Sequence, residues 1–592
     1  MLEQHLSQYI KDLAKAEKGA ELSDAQIQIQ KTRKEFAGDI TLVVFPLARI
    51  FGGAPEAVAN LIGAKITAEL PNFVGFNVVK GFLNLEIDTT YFIQNYQEQT
   101  NQADFGSQKP NSTGRTVMVE YASPNTNKPL HLGHLRNIFL GYSVAEILKA
   151  NGHVVKKTQI INDRGIHICK SMVAWVKFGN GETPDSTGLK GDKLVGKYYV
   201  AFDKHYKIEM AELMAQGMEE DLAKKEAPIF KEAQAYLLKW EAKDTEVYAL
   251  WEKMNSWVYA GFEVTYNRMG VDFDSLYYES ETYLLGKEMA EAGLDKGVFF
   301  KKDDGSVWCD LSEEGLDHKL VLRADGTAVY MTQDIGTAIL RYRDEPNLNQ
   351  IIYTVGNEQD YHFQVLFKIL QKLGYEWAQN CYHLSYGMVD LPTGKMKSRE
   401  GTVVDADDIM QEMADSAKGI SEELGKLEGK SEEEKEALFE TIGQGALKYF
   451  LLKVDPKKRM LFNPEESIDF NGHTGPFIQY THARICSLLE KNGGGNWGLD
   501  SVTIGEEERD LLKKILEFTT AIQEAGADYS PAALANYLFD LVKVFNRFYQ
   551  NVNILKEEKE EAKNFRLDLT KKTGLVVKKG MHLLGIAVPD RM

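Results

Sequence analysis

Two periodicities alternate through the middle of the chain. Val117-Met118-Val119 is a short apolar run of strand type, and beyond it Leu135, Ile138, Phe139, Tyr142, Ala145 and Leu148 recur at helical spacing until Gly152. Between them lies Ser123-Pro124-Asn125-Thr126-Asn127-Lys128-Pro129-Leu130-His131-Leu132-Gly133-His134. A strand thus delivers a Pro-punctuated loop to the start of a helix, which is where an α/β sheet holds a nucleotide. The pattern recurs at 154–161, followed by the turn Asn162-Asp163-Arg164-Gly165. It recurs again at 351–356, with Gln359 and His362 just past the strand and Phe363, Leu366 and Ile369 on the next helix. Ahead of that unit, 323–327 reads as a turn, Ala328-Val329-Tyr330-Met331 as a short strand, and Asp334 as the start of a helix. These alternations predict a parallel sheet with a site along one edge.

The flanks differ. Residues 1–110 read as a small α/β domain: an amphipathic start (Leu2, Leu6, Ile10, Leu13), a helix opened by Ala54-Pro55-Glu56, strands at 76–79 and 82–87, then a Ser/Asn/Pro/Gly-rich linker from Gly106 to Gly114. From about Gly179 to Lys302 charged, helical sequence dominates and reads as an insertion into the sheet domain. Residues 405–469 read as an acidic helical connector. From 470 to 592 the pattern is helical, with stretches at 478–489, 510–522 and 532–549, and Gly493-Gly494-Gly495 breaks the first two. Tyr480, Phe545, Phe548 and Tyr549 lie along these helices, as core or as surfaces on which bases stack.

Composition narrows the field. A chain of 592 residues suggests about four domains, and 43% hydrophobic content fills several cores. Four scattered cysteines with no CxxC pair point to a reducing, cytoplasmic setting and away from a Cys-based zinc site. No apolar run is long enough for a bilayer. The net charge of −18 argues against nucleic acid, but residues 456–592 hold equal numbers of acidic and basic side chains, so a neutral C-terminal module can still present a basic stripe.

The candidate chemistry centres on His131 and His134, three apart at a helix start and so on one side of it. Gly133 leaves room for a flat base against the backbone, and two donors there suit an α-phosphate gathering charge. No GxxxxGK[ST] occurs at this position, and no third ligand accompanies the histidines, so no metal is expected. Lys395-Met396-Lys397-Ser398-Arg399 is a Gly-flanked cationic loop, a plain surface hairpin if taken alone.

Together, the His-x-Gly-His signature and the Lys395-Met396 loop resemble those of the class I aminoacyl-tRNA synthetases. Glu120-Tyr121-Ala122-Ser123-Pro124-Asn125, Lys128, Tyr330 with Asp334, and Gly475-Pro476-Phe477-Ile478-Gln479-Tyr480 narrow the resemblance to arginyl-tRNA synthetases. It implies a Rossmann-type catalytic domain at 111–404, a tRNA-elbow domain at 1–110 and an anticodon-binding bundle at 470–592. It implies catalytic roles for His131, His134, Lys128 and Lys395, and ATP contacts at His131, Gly133, His134, Lys395, Met396 and Ser398. Glu279, Tyr330 and Asp334 would hold the guanidinium, with Glu120, Ser123, Asn125 and Gln359 near the α-amino group. Phe82, Asn84, Tyr480, Arg484 and Met592 would touch tRNA. The implied substrates are L-arginine, ATP with Mg²⁺ and the tRNA for arginine, handled by a monomer that needs tRNA before it activates arginine. One departure stands out: Ser398 occupies the place of the second loop lysine, and Lys128 is the implied substitute. Another synthetase of the class, a small-molecule nucleotidyltransferase and a non-catalytic tRNA-binding paralogue remain the alternatives.

Overall fold

The structure is a computed structural model that describes residues 2–33, 35–390, 404–423, 429–491 and 502–592. The chain divides into two compact units, one built from Met1–Phe105, Gly494–Glu517 and Arg547–Lys572 and the other from Gly106–Gly493, Phe518–Asn546 and Thr573–Met592. The range 470–592 is therefore all-α but shared between the units.

In the first unit, β1 (Gln28–Lys31), β2 (Ile40–Val43), β3 (Phe73–Val79) and β4 (Phe82–Ile87) form an antiparallel sheet in the order β1-β2-β4-β3. The helices Leu2–Lys18 and Pro55–Glu69 contribute Leu6, Ile10, Ile62 and Ile66 to the same core as Leu42, Leu83 and Leu85, all fully buried. Each such side chain contributes about 1.5–3 kcal/mol of transfer free energy. Buried Asp39 ties the sheet to the helix Glu506–Leu516: it accepts from the Ile87 amide (2.7 Å) and from Arg509 (2.9 Å), and pairs with Lys513.

The second unit is organised by β5 (Thr116–Glu120), β6 (Val154–Ile161), β7 (Ser275–Tyr278), β11 (Leu348–Gly356) and β12 (Tyr382–Tyr386), all parallel, in the order β12-β11-β5-β6-β7. From β5 the chain steps one way to β6 and β7 and then returns to the other side for β11 and β12. That puts a topological switch point between β5 and β11, the place where such sheets bind ligands at their carboxyl ends. The helix Leu132–Ala150 follows β5 and lies close against the loop between them: a Cβ on Gly141 would come within 2.4 Å of the Tyr121 side chain, so only glycine permits this approach. A small antiparallel sheet of β8 (Phe299–Lys301), β9 (Val307–Cys309) and β10 (Lys319–Leu322), and the short pair β13 (Val389–Asp390) and β14 (Met460–Leu461), complete the strands of the described residues.

Three expectations are corrected. The inserted helices end at Met269, and β7 inside the expected insertion is an edge strand of the parallel sheet. Its four residues lie between acidic stretches and form no recognisable run, but the sheet seats it through reciprocal bonds between Asp274 and the Lys157 backbone (2.7 and 2.8 Å). Residues 328–331 are not a strand: Tyr330 begins the helix Tyr330–Asp344, because Thr332 at its start donates to the Val321 carbonyl and accepts from the Val329 amide. The expected helix at 510–522 is two, Glu506–Leu516 and Phe518–Ala527. No helix of the described residues is long and apolar enough to cross a membrane.

Candidate active site

The loop leaving β5 is strained at two successive positions. Ala122 (φ 76°) and Ser123 (φ 39°) both adopt left-handed backbone, which a side chain disfavours by about 1–2 kcal/mol. Buried Asn137 holds the turn: its Oδ1 accepts from the Ala122 amide (2.6 Å), while its Nδ2 donates to the Thr354 carbonyl on β11 (2.6 Å). The Ser123 hydroxyl donates to Glu120 (3.1 Å). Glu120 itself, 5% exposed, is paired with Arg341, 1% exposed, on the helix Tyr330–Asp344. Further along, the Thr126 amide donates to the Asn162 carbonyl (3.1 Å), which lashes this loop to the end of β6.

His131 caps the helix Leu132–Ala150. The Gly133 amide donates to His131 Nδ1 (3.2 Å) and the His131 amide donates to His134 Nδ1 (3.1 Å). With both Nδ1 atoms accepting, the ring protons belong on Nε2. The rings lie 4.0 Å apart. Burial, helped by the Lys128 charge, pushes His131 down to about 4, and burial with the neighbouring His131 and Lys128 pushes His134 well below its ordinary value. At neutral pH the pair is two uncharged donors at a helix N-terminus, with a lysine alongside. A Cβ on Gly133 would crowd the His131 ring at 3.1 Å.

A second cluster forms at the ends of β6 and β7. Glu279, 8% exposed, is the first residue of the helix Glu279–Asp295. Burial drives its carboxyl up to about 7; Asp163 and Asp334 push the same way, against Arg164 and a hydrogen bond from Gln333. Asp163, at the end of β6, anchors that helix by accepting from the Ser280 amide (2.8 Å), the Ser280 hydroxyl (2.7 Å) and the Tyr259 hydroxyl (2.9 Å). Arg164 stacks over Tyr283, 3.9 Å from the ring centre, and pairs with Glu241 at 3.0 Å. Asp334, half-buried in the first turns of its helix, meets His362 Nε2 at 2.6 Å. The arrangement sets a buried carboxyl, a half-buried one and an anchored aspartate near one arginine, an acidic cluster whose chemistry suits a cation with several donors.

The structure thus gathers His131, Gly133, His134 and Lys128 at one helix start, and Glu279 near Asp334. Tyr330 is 74% exposed, and Asn125 and Gln359 are exposed. Lys395, Met396 and Ser398, and the Gly493–Gly495 break, lie outside the described residues. In the first unit, Phe82 packs edge-on against Phe45. Asn84, 1% exposed, has its amide taken by Thr41 (2.6 Å) and Asn77 (3.0 Å). Tyr480 and Arg484 line a cavity of about 180 Å³ with Phe470, Asn471, Phe477, Thr481 and Asn546, where Arg484 lies over the Tyr480 ring and donates to Asn546 (2.8 Å). Met592 is half-buried. Sequence reasoning noted Asp163, Arg164 and His362 only as turn or post-strand residues. Their positions just past β6 and β11 were the available signal for a role.

Residues 97–463 match the catalytic-domain model of the class I tRNA synthetases (R), residues 478–592 the DALR anticodon binding domain, and residues 1–87 the arginyl tRNA synthetase N terminal domain. The chain is 60% identical to an arginine–tRNA ligase of Flavobacterium psychrophilum, over 97% of each, and 57% identical to one of Bacteroides thetaiotaomicron, over 98% of each. The arginyl-tRNA synthetase structure of Thermus thermophilus superimposes with a TM-score of 0.79 at 25% identity, over 100% of both chains. The sheet edge carrying the His-x-Gly-His pair and these matches along nearly the whole length agree: the chain belongs to the class I arginyl-tRNA synthetases.

Proposed function

We propose that the chain attaches L-arginine to the tRNA for arginine in an ATP-dependent reaction that passes through arginyl-adenylate. A carboxylate oxygen of arginine attacks the α-phosphorus of ATP, which enters with its Mg²⁺, and pyrophosphate leaves. The 2′-hydroxyl of the tRNA's terminal adenosine then attacks the arginyl carbonyl, and AMP leaves. No side-chain nucleophile is needed, so positioning and charge stabilisation carry the rate.

The two neutral imidazoles, with Nε2–H free of the backbone bonds that occupy Nδ1, donate to the phosphate oxygens as charge develops, and Lys128 adds a full positive charge near them. Gly133 admits the adenosine. Lys395 serves the leaving pyrophosphate, and Met396 and Ser398 belong with it to the ATP contacts. Glu279 and Asp334 take the guanidinium with Tyr330 beside them. Glu120, fixed by Arg341, works with Ser123, Asn125 and Gln359 on the α-amino end. Phe82 meets the tRNA elbow, with Asn84, 1% exposed, acting behind it through its bond to Asn77, and Tyr480, Arg484 and Met592 meet the anticodon end. The enzyme acts as a monomer in the cytoplasm.

The observation that carries this reading is Glu279, a carboxyl 8% exposed at the start of its helix, which Asp163 anchors, with Asp334 near enough to raise its pKa further. A guanidinium entering the cluster relieves the repulsion between these acids, and few other amino acids could. Charging of tRNA with labelled arginine, run beside arginine-dependent pyrophosphate exchange with and without tRNA, tests it. Charging with arginine alone among amino acids, and exchange only when tRNA is present, are the expected results. Charging with another amino acid overturns the specificity, and exchange without tRNA overturns the order of binding.

A further inference from the structure

The helix Gly475–Lys491 and the end of the chain bring together three side chains of metal-binding type. His482 and Cys486 are one helical turn apart and share a face; Asp590 arrives from 104 residues further along. Cys486 Sγ lies 3.8 Å from His482 Nδ1 and 3.7 Å from Asp590 Oδ1, and those two atoms are 4.0 Å apart. The Pro589 carbonyl is 3.1 Å from the same Nδ1. Among the described residues no other three such side chains come as close.

We propose that His482, Cys486 and Asp590, with the Pro589 carbonyl as fourth donor, bind a zinc-class divalent cation that fastens the C-terminal tail to this helix. Donors around a tetrahedral ion with bonds of about 2.0–2.3 Å stand about 3.3–3.7 Å from one another. The three side-chain separations of 3.7, 3.8 and 4.0 Å are within roughly half an ångström of that, so side-chain torsion brings these three donors onto an ion. One thiolate, one imidazole and one carboxylate suit zinc, whereas magnesium and calcium prefer oxygen donors alone. Three present contacts must yield: His482 gives up its Nδ1–H bond to Pro589 and carries its proton on Nε2 instead, which frees the Nδ1 lone pair for the ion; the Cys486 thiol gives up its bond to Asp590; and Lys578, 3.6 Å from Asp590 Oδ1, releases that carboxylate. The Cys486 proton leaves to solvent.

The placement gives the ion something to do. Tyr480 and Arg484 alternate with His482 and Cys486 on the one helix, so the cavity they line and the metal cluster occupy different faces of it. Met592 stands two residues past Asp590. An ion at the cluster therefore fixes the tail that carries Met592, a residue assigned above to the anticodon end. The scatter of four cysteines had pointed away from a zinc site, but a lone cysteine completed by His and by a remote Asp leaves no spacing signature.

The test is titration of the full, chelator-treated chain with Co²⁺ alone. One equivalent should bind with a near-ultraviolet thiolate-to-cobalt charge-transfer band, and Zn²⁺ should displace it. Cys486→Ser should abolish the band. Asp590→Asn, at an exposed position, should weaken uptake at least about tenfold; this variant decides alone if Cys486→Ser misfolds. The absence of a band in the unaltered chain, a band of full strength in Cys486→Ser, or unchanged Co²⁺ affinity in Asp590→Asn overturns the proposal. In that case the cluster is a hydrogen-bonded latch of thiol to carboxylate and imidazole to carbonyl.

Discussion

The two clusters assigned to the proposed reaction use the same physical device to opposite effect. At the histidine end, burial strips His131 and His134 of their charge and neutrality is the working state: two N–H donors aimed by backbone amides at an anion. At the carboxylate end, burial, with Asp163 and Asp334 alongside, raises the Glu279 carboxyl to about 7, and the proposed ligand would have to reverse that neutralisation. The difference follows the ligand. A triphosphate brings its own charge and needs fixed donors, whereas a guanidinium is always cationic and needs carboxylates that it can ionise.

The largest effect expected is on chemistry at the histidine end. Lys128→Ala should slow single-turnover adenylate formation by about 10²–10³-fold, in line with the loss of one transition-state charge partner. A near-normal rate would remove Lys128 from the account. Next, Glu279→Gln should weaken arginine binding by about 2–4 kcal/mol, the cost of breaking one buried charged pair, and leave ATP affinity unchanged. Equal losses for both ligands would dissolve the distinction between the two ends.

pH should separate them further. With Glu279 titrating at about 7, arginine affinity should rise about tenfold between pH 6 and 8, because the carboxylate form is the competent one, and calorimetry in Glu279→Gln should show a flat profile. The stability slopes also run oppositely. His131 is depressed to about 4, so the unfolded chain binds the extra proton and stability falls as pH drops from about 6.5 to 4. Glu279 is raised, so its favourable contribution is complete below about 4.5 and is lost as pH rises through about 7. The smallest effect follows: ligand-free Glu279→Gln should be more stable than the unaltered chain at pH 8, by about 1–3 kcal/mol, and lose that advantage at pH 5. Denaturant melts at the two pH values read this directly.

The two ends also differed in how far the sequence revealed them. The histidine end is contiguous: apolar run, Pro-rich loop and His-x-Gly-His follow one another between β5 and its helix, and local pattern was enough. The carboxylate end joins Glu279 to Asp334 across 55 positions, through an edge strand too short to register and a helix start disguised as a β-type run at Ala328-Val329-Tyr330. Resemblance to a family supplied those residues, and periodicity did not. Asp163 was legible only as part of a turn, because its role in anchoring the helix that begins with Glu279 exists only once β6 and β7 lie side by side. The parallel sheet was readable because each strand ends in a polar tip. The sharing of 470–592 between two units was not, because helical faces do not say which neighbour they will meet.

The central claim is that the acidic cluster recognises the charge of the guanidinium. Calorimetric binding of L-arginine against L-citrulline, which replaces one guanidinium nitrogen with a neutral oxygen, tests it at pH 8 in the unaltered chain and in Glu279→Gln. A preference for arginine of about 10⁴-fold that collapses in the variant is predicted. A preference that survives the loss of Glu279 would contradict it.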